Sequence, residues 1–465
     1  MLEVKDKRIA IIGLSRTGIA TAEFLYQRGA ELVVSDSKTA DELKNVLEKL
    51  KDMEIEYELG GHGEKCLSCD LIVVSPGVPL DIPFFRRARE RGIPVISEIE
   101  LAYQFTEAKI IAITGTNGKT TTTQLTGEIL QKAGIGKVIV AGNIGTPLIR
   151  EIGDTGKEDW LVVEISSFQL ETIEDFRPDI SIFLNFTPDH LDRHKTLENY
   201  WLAKKRIFEN QTAEDLAIVN YDDQDVMRAV ADFPGSLYQV SLEKRVDRGI
   251  SLIDGKLIFI EGEQEEEIMD SAEIPLKGSH NIQNVTFAAL AAHLLGVPVE
   301  IIRDTVKNFK GGEHRLEEVF YLKNDDILVI DDSKATNPDS AIKGIQSFES
   351  PIVLIAGGQD RNADFTEWGR VIKERVRVLV LLGETRFKLK EEALKSGFSN
   401  INIHIADNMK EAVEIATSHL KKGDILLLSP GCPSWDMYTS YQERGREFQE
   451  MVRKMLLTRQ EERKG

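Results

Sequence analysis

The chain has 465 residues, too many for one ordinary core, so roughly two to four domains are expected. Hydrophobic residues make up 42% and charged residues 29%, which excludes a disordered, low-apolar chain; a formal net charge of -19 argues against a general nucleic-acid binder, because phosphate-backbone affinity needs a basic surface. No apolar run reaches membrane-spanning length and the start, MLEVKDKRIAIIG, lacks the apolar core of a signal peptide, so no membrane insertion and a cytoplasmic location are expected.

Along the chain, short β-branched apolar runs alternate with helix-length segments, a pattern that predicts α/β blocks with parallel sheets and ligands at strand C-terminal ends. The first block carries RIAIIG, ELVVSD, DLIVVSPG and IPVIS, and its last helix, near Glu98 to Phe105, leads into the second. Within it, Gly13-Leu14-Ser15-Arg16-Thr17-Gly18 follows a strand and Asp36 ends the next. Ser15 replaces the middle glycine of a dinucleotide fingerprint, which leaves a modified nucleotide site or a plain strand-to-helix turn as readings. Cys66, Cys69 and Cys432 are read as reduced thiols, since a lone C-x-x-C without a second pair is weak evidence for zinc.

The second block begins with AKIIAIT and includes WLVVEIS and DISIFLNF, then a helix rich in lysine, arginine and aromatics. Residues 240–275 differ, because two short strands around Asp254-Gly255 predict an antiparallel hairpin, and the acidic run Glu263 to Glu267 reads as a solvated turn. The third block has DILVIDD, PIVLIAGG, VRVLVLLGE, INIHIAD and DILLLSPG, and the mixed-charge tail RKMLLTRQEERKG reads as a fraying helix end.

The strongest signal is IAITGTNGKTTTT, an apolar strand running into glycines, Lys119, Thr120 and a helix. Gly115 and Gly118 free the backbone to aim N–H groups inward, the helix start adds positive potential, Lys119 can reach terminal phosphates, and Thr120 can hold Mg²⁺. ATP is the expected ligand. Glu164 ends the apolar strand WLVVE, where a carboxylate can face a metal above that loop. His190 lies in a short polar loop after a strand and is a candidate for a second metal or the reacting carboxylate, with a capping or surface histidine as the alternative.

The loop T-G-T-N-G-K-T resembles that of the Mur ligase and folylpolyglutamate synthase superfamily, and matching pieces follow in order: Glu164-Ile165-Ser166-Ser167, Asn185 to His190, Gly278-Ser279-His280-Asn281-Ile282-Gln283-Asn284, His314-Arg315, and Asp332-Ser333-Lys334-Ala335-Thr336-Asn337. This resemblance implies three domains: a Rossmann-like N-terminal domain (1–105), a P-loop-type central ATPase domain (106–311) and a Rossmann-like C-terminal domain (312–465). It implies ATP contacts from Gly115, Thr116, Asn117, Gly118, Lys119, Thr120, Thr121, Asn281, Asn284, Arg315, Asp332 and Lys334. Mg²⁺ ligands are implied at Thr120, Glu164, His190 and Lys204, the last as a carbamylated lysine in Y-W-L-A-K-K-R-I, with Lys119, His190 and Lys204 catalytic.

The resemblance extends to the members that add D-glutamate to UDP-N-acetylmuramoyl-L-alanine in peptidoglycan precursor synthesis, through an acyl phosphate. Its carriers are Leu427-Leu428-Ser429-Pro430-Gly431-Cys432-Pro433-Ser434-Trp435-Asp436, then Tyr441, Glu443, Arg444, Gly445 and Phe448. Ser434, Thr336 and Tyr441, the last where relatives commonly have phenylalanine, are implied D-glutamate contacts, and Arg361 stands where the family has a lysine. Ser15, Arg16, Asp36, Ser37, Ser75, Asn143 and His190 are implied contacts of the UDP-substrate. No D-N-P-R segment of the diaminopimelate- or lysine-adding ligases occurs, and a monomer is expected. Folylpolyglutamate synthase and a non-catalytic nucleotide-binding regulator are the alternatives. The S-P-x-x-x-S-x-D segment disfavours the first, and the joint presence of Lys119, Glu164, His190 and Lys204 disfavours the second.

Overall fold

Three sheets form where apolar runs alternate with helices, as laid out in a computed structural model that describes residues 2–462. The first holds β1 (Arg8–Ile12), β2 (Glu31–Asp36), β3 (Ile55–Leu59), β4 (Leu71–Val74) and β5 (Val95–Ser97), all parallel, in the order β3-β2-β1-β4-β5. The order reverses between β1 and β4, so the loops after them diverge and leave a crevice at the strand ends.

The second sheet has β6 (Lys109–Thr114), β7 (Val138–Gly142), β8 (Trp160–Glu164), β9 (Ile180–Phe183), β10 (Leu216–Asn220), β11 (Ser236–Ser241), β12 (Arg248–Ile253), β13 (Lys256–Glu261) and β14 (Gln264–Asp270). Its order is β14-β13-β12-β11-β10-β9-β6-β8-β7. The central strands read as near-continuous apolar runs because helices cover both faces, and every residue of β8 is buried. The expected hairpin is present as β12 and β13. Of the acidic run only Glu263 lies in a turn; Glu265, Glu266 and Glu267 lie in β14, antiparallel to β13. Their exposed side chains place charge on an edge strand, where it discourages pairing with other chains, and Lys256 pairs with Glu267 at 2.7 Å.

The third sheet contains β15 (Glu317–Leu322), β16 (Ile327–Asp331), β17 (Ile352–Ala356), β18 (Val376–Leu381), β19 (Ile403–Ile405) and β20 (Ile425–Leu428), in the order β15-β16-β20-β17-β18-β19. Only β15 runs antiparallel. The long helix Tyr441–Glu462 packs Phe448, Val452 and Leu456 into the core on one side of this sheet. The last three tail residues lie outside the described residues.

The chain divides into two units, the first reaching to Ser271 together with Asn284–Val306, the second Ala272–Gln283 together with the chain from Lys307 onward. In the first unit the first two sheets share one apolar cluster, which joins Ile99, Leu101 and Ala102 to Leu148, Ile149 and Phe176. The helix Glu98–Tyr103 adds two buried carboxylates to that seam. Glu100 Oε2 accepts from the backbone N–H groups of Glu174, Asp175 and Phe176 at 2.8, 3.1 and 2.9 Å, and Glu98 Oε1 accepts from Ile149 N at 2.7 Å.

Candidate active site

The phosphate loop forms where β6 ends. Gly115 (φ +152°) and Gly118 (φ +85°) adopt angles that residues with side chains rarely take, and a Cβ on Gly118 would stand 2.2 Å from Asn284 Oδ1. The helix Lys119–Ala133 starts at Gly118, so the N–H groups of its first turn and its positive end belong to the loop. Asn185, after β9, braces the turn: its Oδ1 accepts from Asn117 N at 2.8 Å and its Nδ2 donates to Asn117 O at 3.0 Å. Thr116 Oγ1 donates to Thr187 O at 3.0 Å. Thr121 is 1% exposed, its hydroxyl buried in the helix's packed face.

Two lysines converge on Gly115. Lys119 Nζ donates to Gly115 O at 2.9 Å and to Thr116 O at 2.8 Å, and Lys204 Nζ, from the helix Leu197–Lys205, donates to Gly115 O at 2.7 Å. Lys204 is buried, and desolvation together with the nearby Lys119 charge holds its ammonium well below the usual lysine value.

Beside them, buried Glu164 at the end of β8 accepts from Thr120 Oγ1 through Oε2 and from Asn143 Nδ2 through Oε1, both at 2.8 Å. Strand neighbours explain the meeting, since β6 lies next to β8 and β8 next to β7. A hydroxyl and a carboxylate side by side are hard oxygen donors of the type that magnesium takes, and a glycine turn running into a helix start with a lysine is the donor set that phosphate takes, so these residues fit both groups.

His190 takes a left-handed backbone (φ +53°), its Nε2 lies 3.6 Å from Asp189 Oδ2, and its ring packs edge-on against Phe168 with centroids 4.9 Å apart. His194, one helical turn later, escapes the sequence reading although the D-H-L-D-R-H spacing carries it. Its buried ring bonds Ser167 Oγ at 2.9 Å, faces Glu171 Oε1 at 3.3 Å and stacks on Phe168.

At the crevice of the first sheet, Asp36 accepts from Leu14 N at 2.7 Å and Lys38 N at 2.9 Å, and buried Ser75 donates from Oγ to Gly13 O at 2.8 Å. Both side chains therefore shape the turn. Ser15, which makes no side-chain cap bond, and Arg16 are exposed at the start of the helix Arg16–Tyr26, and Ser37 is exposed beside Asp36.

In the second unit, loops after β16, β17 and β20 are stitched together at one sheet edge, Gly431 N donating to Ala335 O and Gln359 N to Pro433 O, each at 2.9 Å. Asp332 accepts from Ser429 Oγ at 2.8 Å, and burial pushes its carboxyl up to about 7 against that bond and the charge of Arg315. Lys334 Nζ stands 5.5 Å from the centroid of the Tyr441 ring. Ser434 is buried and Thr336 half-buried on the stitched loops, and the Arg361 guanidinium lies 4.7 Å from the centroid of the Trp435 ring.

His314 Nδ1 lies 2.6 Å from Asp331 Oδ2; burial alone would lower the imidazole, but the bond to Asp331 outweighs it and holds it above its usual value. Buried Arg444, whose role the sequence left unread, donates to Ser333 O at 2.7 Å and Cys432 O at 3.1 Å and so ties two of these loops together. Asn281, buried with its Nδ2 on Lys277 O at 2.7 Å, belongs to this unit, whereas Asn284 belongs to the first.

Family models match the chain in three stretches: a Mur ligase MurD-like N-terminal domain over residues 7–97, a Mur ligase middle domain over 113–292, and a Mur ligase glutamate ligase domain over 314–432. A UDP-N-acetylmuramoylalanine–D-glutamate ligase of Alkaliphilus oremlandii is 44% identical over 97% of this chain and 99% of its own length. A protein of the same name from Clostridioides difficile is also 44% identical, with the same coverage. Among solved structures, a pseudomurein peptide ligase type C from Methanothermus fervidus covers 97% of the chain and 100% of its own at a TM-score of 0.59 and 17% identity. A UDP-N-acetylmuramate–alanine ligase from Thermotoga maritima gives 0.58 and 18% with the same coverage. At those identities the likeness speaks for the fold.

Proposed function

This chain belongs to the Mur ligase family, and we propose that it is the ATP-dependent ligase that joins D-glutamate to UDP-N-acetylmuramoyl-L-alanine for peptidoglycan precursors. The observation that carries the reading is the meeting of Lys119 and Lys204 on Gly115 O beside the Thr120–Glu164 pair. A simple nucleotide-binding regulator needs only the loop and Lys119. The second lysine, buried with a depressed ammonium, serves chemistry on the phosphoryl group.

The substrate carboxylate attacks the γ-phosphorus of ATP, forming a C–O–P bond as the bond to the ADP oxygen breaks. The amine of D-glutamate then attacks the acyl carbon, inorganic phosphate leaves, and the amine proton is lost to give the amide. Lys119 and the N–H groups at the start of its helix hold the phosphates, and Gly115 and Gly118 allow the backbone to approach them. Thr120 and Glu164 would hold Mg²⁺, with His190 and a carbamylated Lys204 as further ligands. Bound there, the ion would supply positive charge to the transferring phosphoryl group. Because burial favours the neutral amine of Lys204, its nitrogen can add to CO₂ with loss of a proton, turning a cation into an oxygen donor.

Ser15, Arg16, Ser37 and Asn143 are the proposed contacts of the UDP-substrate, with Asp36 and Ser75 shaping the turn that carries Ser15 and Arg16. The resemblance supports Asn284 of the first unit as a further nucleotide contact and, within the second unit, Asn281, Arg315, Asp332 and Lys334 as nucleotide contacts and Thr336, Arg361, Ser434 and Tyr441 as D-glutamate contacts. Domain junctions are proposed at 105/106 and 311/312. All groups named come from one chain, so a monomer suffices, and reliance on ATP and a nucleotide sugar places the reaction in the cytoplasm. Among the described residues no helix is long and apolar enough to cross a membrane. Product analysis tests the reading: with ATP, magnesium and both substrates, UDP-N-acetylmuramoyl-L-alanyl-D-glutamate should form with ADP and phosphate in equal amounts. ATP breakdown without amide would overturn it.

A further inference from the structure

Trp435 is 61% exposed, while Trp160, Trp201 and Trp368 are 8%, 5% and 0% exposed. An indole is rarely left in water without a contact that uses its face. Over the ring of Trp435 stands the Arg361 guanidinium, its carbon 4.7 Å from the ring centroid, within reach of the attraction between a cation and an aromatic quadrupole.

The two residues sit on different loops, after β20 and after β17, and the backbone fixes their separation. Gln359 N donates to Pro433 O at 2.9 Å, and a Cβ on Gly358 would come within 2.2 Å of that same oxygen. Asp436, next to Trp435, accepts from Glu384 N at 2.8 Å, which ties the Trp435 loop to the loop after β18. The carboxylate nearest to Arg361 in sequence is committed elsewhere, since Asp360 pairs with Lys388 at 2.9 Å. Among the described residues no carboxylate pairs with Arg361.

A guanidinium that lies face-on to a ring spends only its face on that contact. Its N–H groups point outward in the plane, so the fork that matches a carboxylate stays available. An ammonium has no such face, and a lysine here would gain from the indole only as a point charge. We propose that Trp435 is a positioning residue for amino-acid binding: it holds Arg361 flat at the sheet edge so that the guanidinium fork meets a carboxylate of D-glutamate. The proposal rests on the assignment of D-glutamate to this edge.

Steady-state KM values for D-glutamate and for the UDP-sugar, in Trp435→Ala, Trp435→Phe, Arg361→Ala and the double variant, test it. Trp435→Ala should raise the KM for D-glutamate about two- to five-fold, the range of an exposed cation–aromatic contact, and leave that for the UDP-sugar unchanged. Trp435→Phe should recover part of the loss, because it keeps a ring face. In the Arg361→Ala background, Trp435→Ala should add nothing, since the partner is gone. An equal effect of Trp435→Ala in both backgrounds, or no effect in either while Arg361→Ala raises the KM, would overturn the pairing alone. No change in the KM for D-glutamate in Arg361→Ala would overturn the site assignment and the pairing with it.

Discussion

Glu98→Gln should remove one component of the pH dependence of stability. Glu98 is 1% exposed at the seam between the first two sheets; its Oε1 accepts from Ile149 N, and its Oε2 has no hydrogen-bond partner. Burial pushes the carboxyl from 4.5 up to about 7, against the pull of the Ile149 N–H and the Arg16 charge. That rise corresponds to about 3 kcal/mol. Its sign follows from linkage: the folded state holds the proton more tightly, so the stabilising contribution is complete below the unfolded value and is lost as pH climbs through the folded value. Glutamine mimics the protonated group at every pH. Urea unfolding of both proteins at about pH 5 and about pH 8 should therefore show the variant gaining on the wild type by about 2 to 3 kcal/mol between the two conditions. Asp332 contributes equally to both proteins and cancels. A stability difference that is the same at both pH values would refute the reasoning.

Lys119→Ala should abolish amide formation while the circular dichroism spectrum stays native, because the phosphates lose their cation; turnover near the wild-type rate would remove Lys119 from the site. Lys204→Ala should be nearly inactive and partly rescued by formate or acetate, and the intact folded protein, unlike the variant, should carry the mass of one CO₂ in native mass spectra; full activity in the alanine variant would end the carbamate reading. Glu100→Ala strands three backbone N–H groups at the seam and should cost about 3 to 5 kcal/mol in urea unfolding; a loss below about 1 kcal/mol would mean that water replaces the carboxylate.

Strands covered on both faces were legible as apolar runs, as in WLVVE and KIIAIT. Three edge strands were not, because solvent lets them carry charge, whereas the apolar edge strands in IPVIS and INIHIAD were. β3 reads IEYEL with no fully buried residue, β14 opens with Gln264 and three glutamates, and β15 at the rim of the third sheet pairs antiparallel. The site followed the same division. Residues adjacent to a strand end or within a glycine loop, such as Lys119, Thr120 and Glu164, could be named as candidates because their chemistry and position coincide in the sequence, whereas Asn143 came from the resemblance alone. His194, Arg444 and Trp435 were not, since each acts through a partner distant along the chain: Ser167 for the histidine, Ser333 for the arginine, and Arg361 for the indole. The resemblance named Asp36 and Ser75 as candidate substrate contacts, and that they shape the turn through Leu14 N and Gly13 O required coordinates.

The central claim is tested most directly by ADP release from ATP in the presence of UDP-N-acetylmuramoyl-L-alanine and, one at a time, D-glutamate, L-glutamate, L-alanine, L-lysine and diaminopimelate. The account predicts sustained release with D-glutamate alone, accompanied by its incorporation into the nucleotide sugar. Faster release with another amino acid, or release that ignores the amino acid altogether, would contradict it.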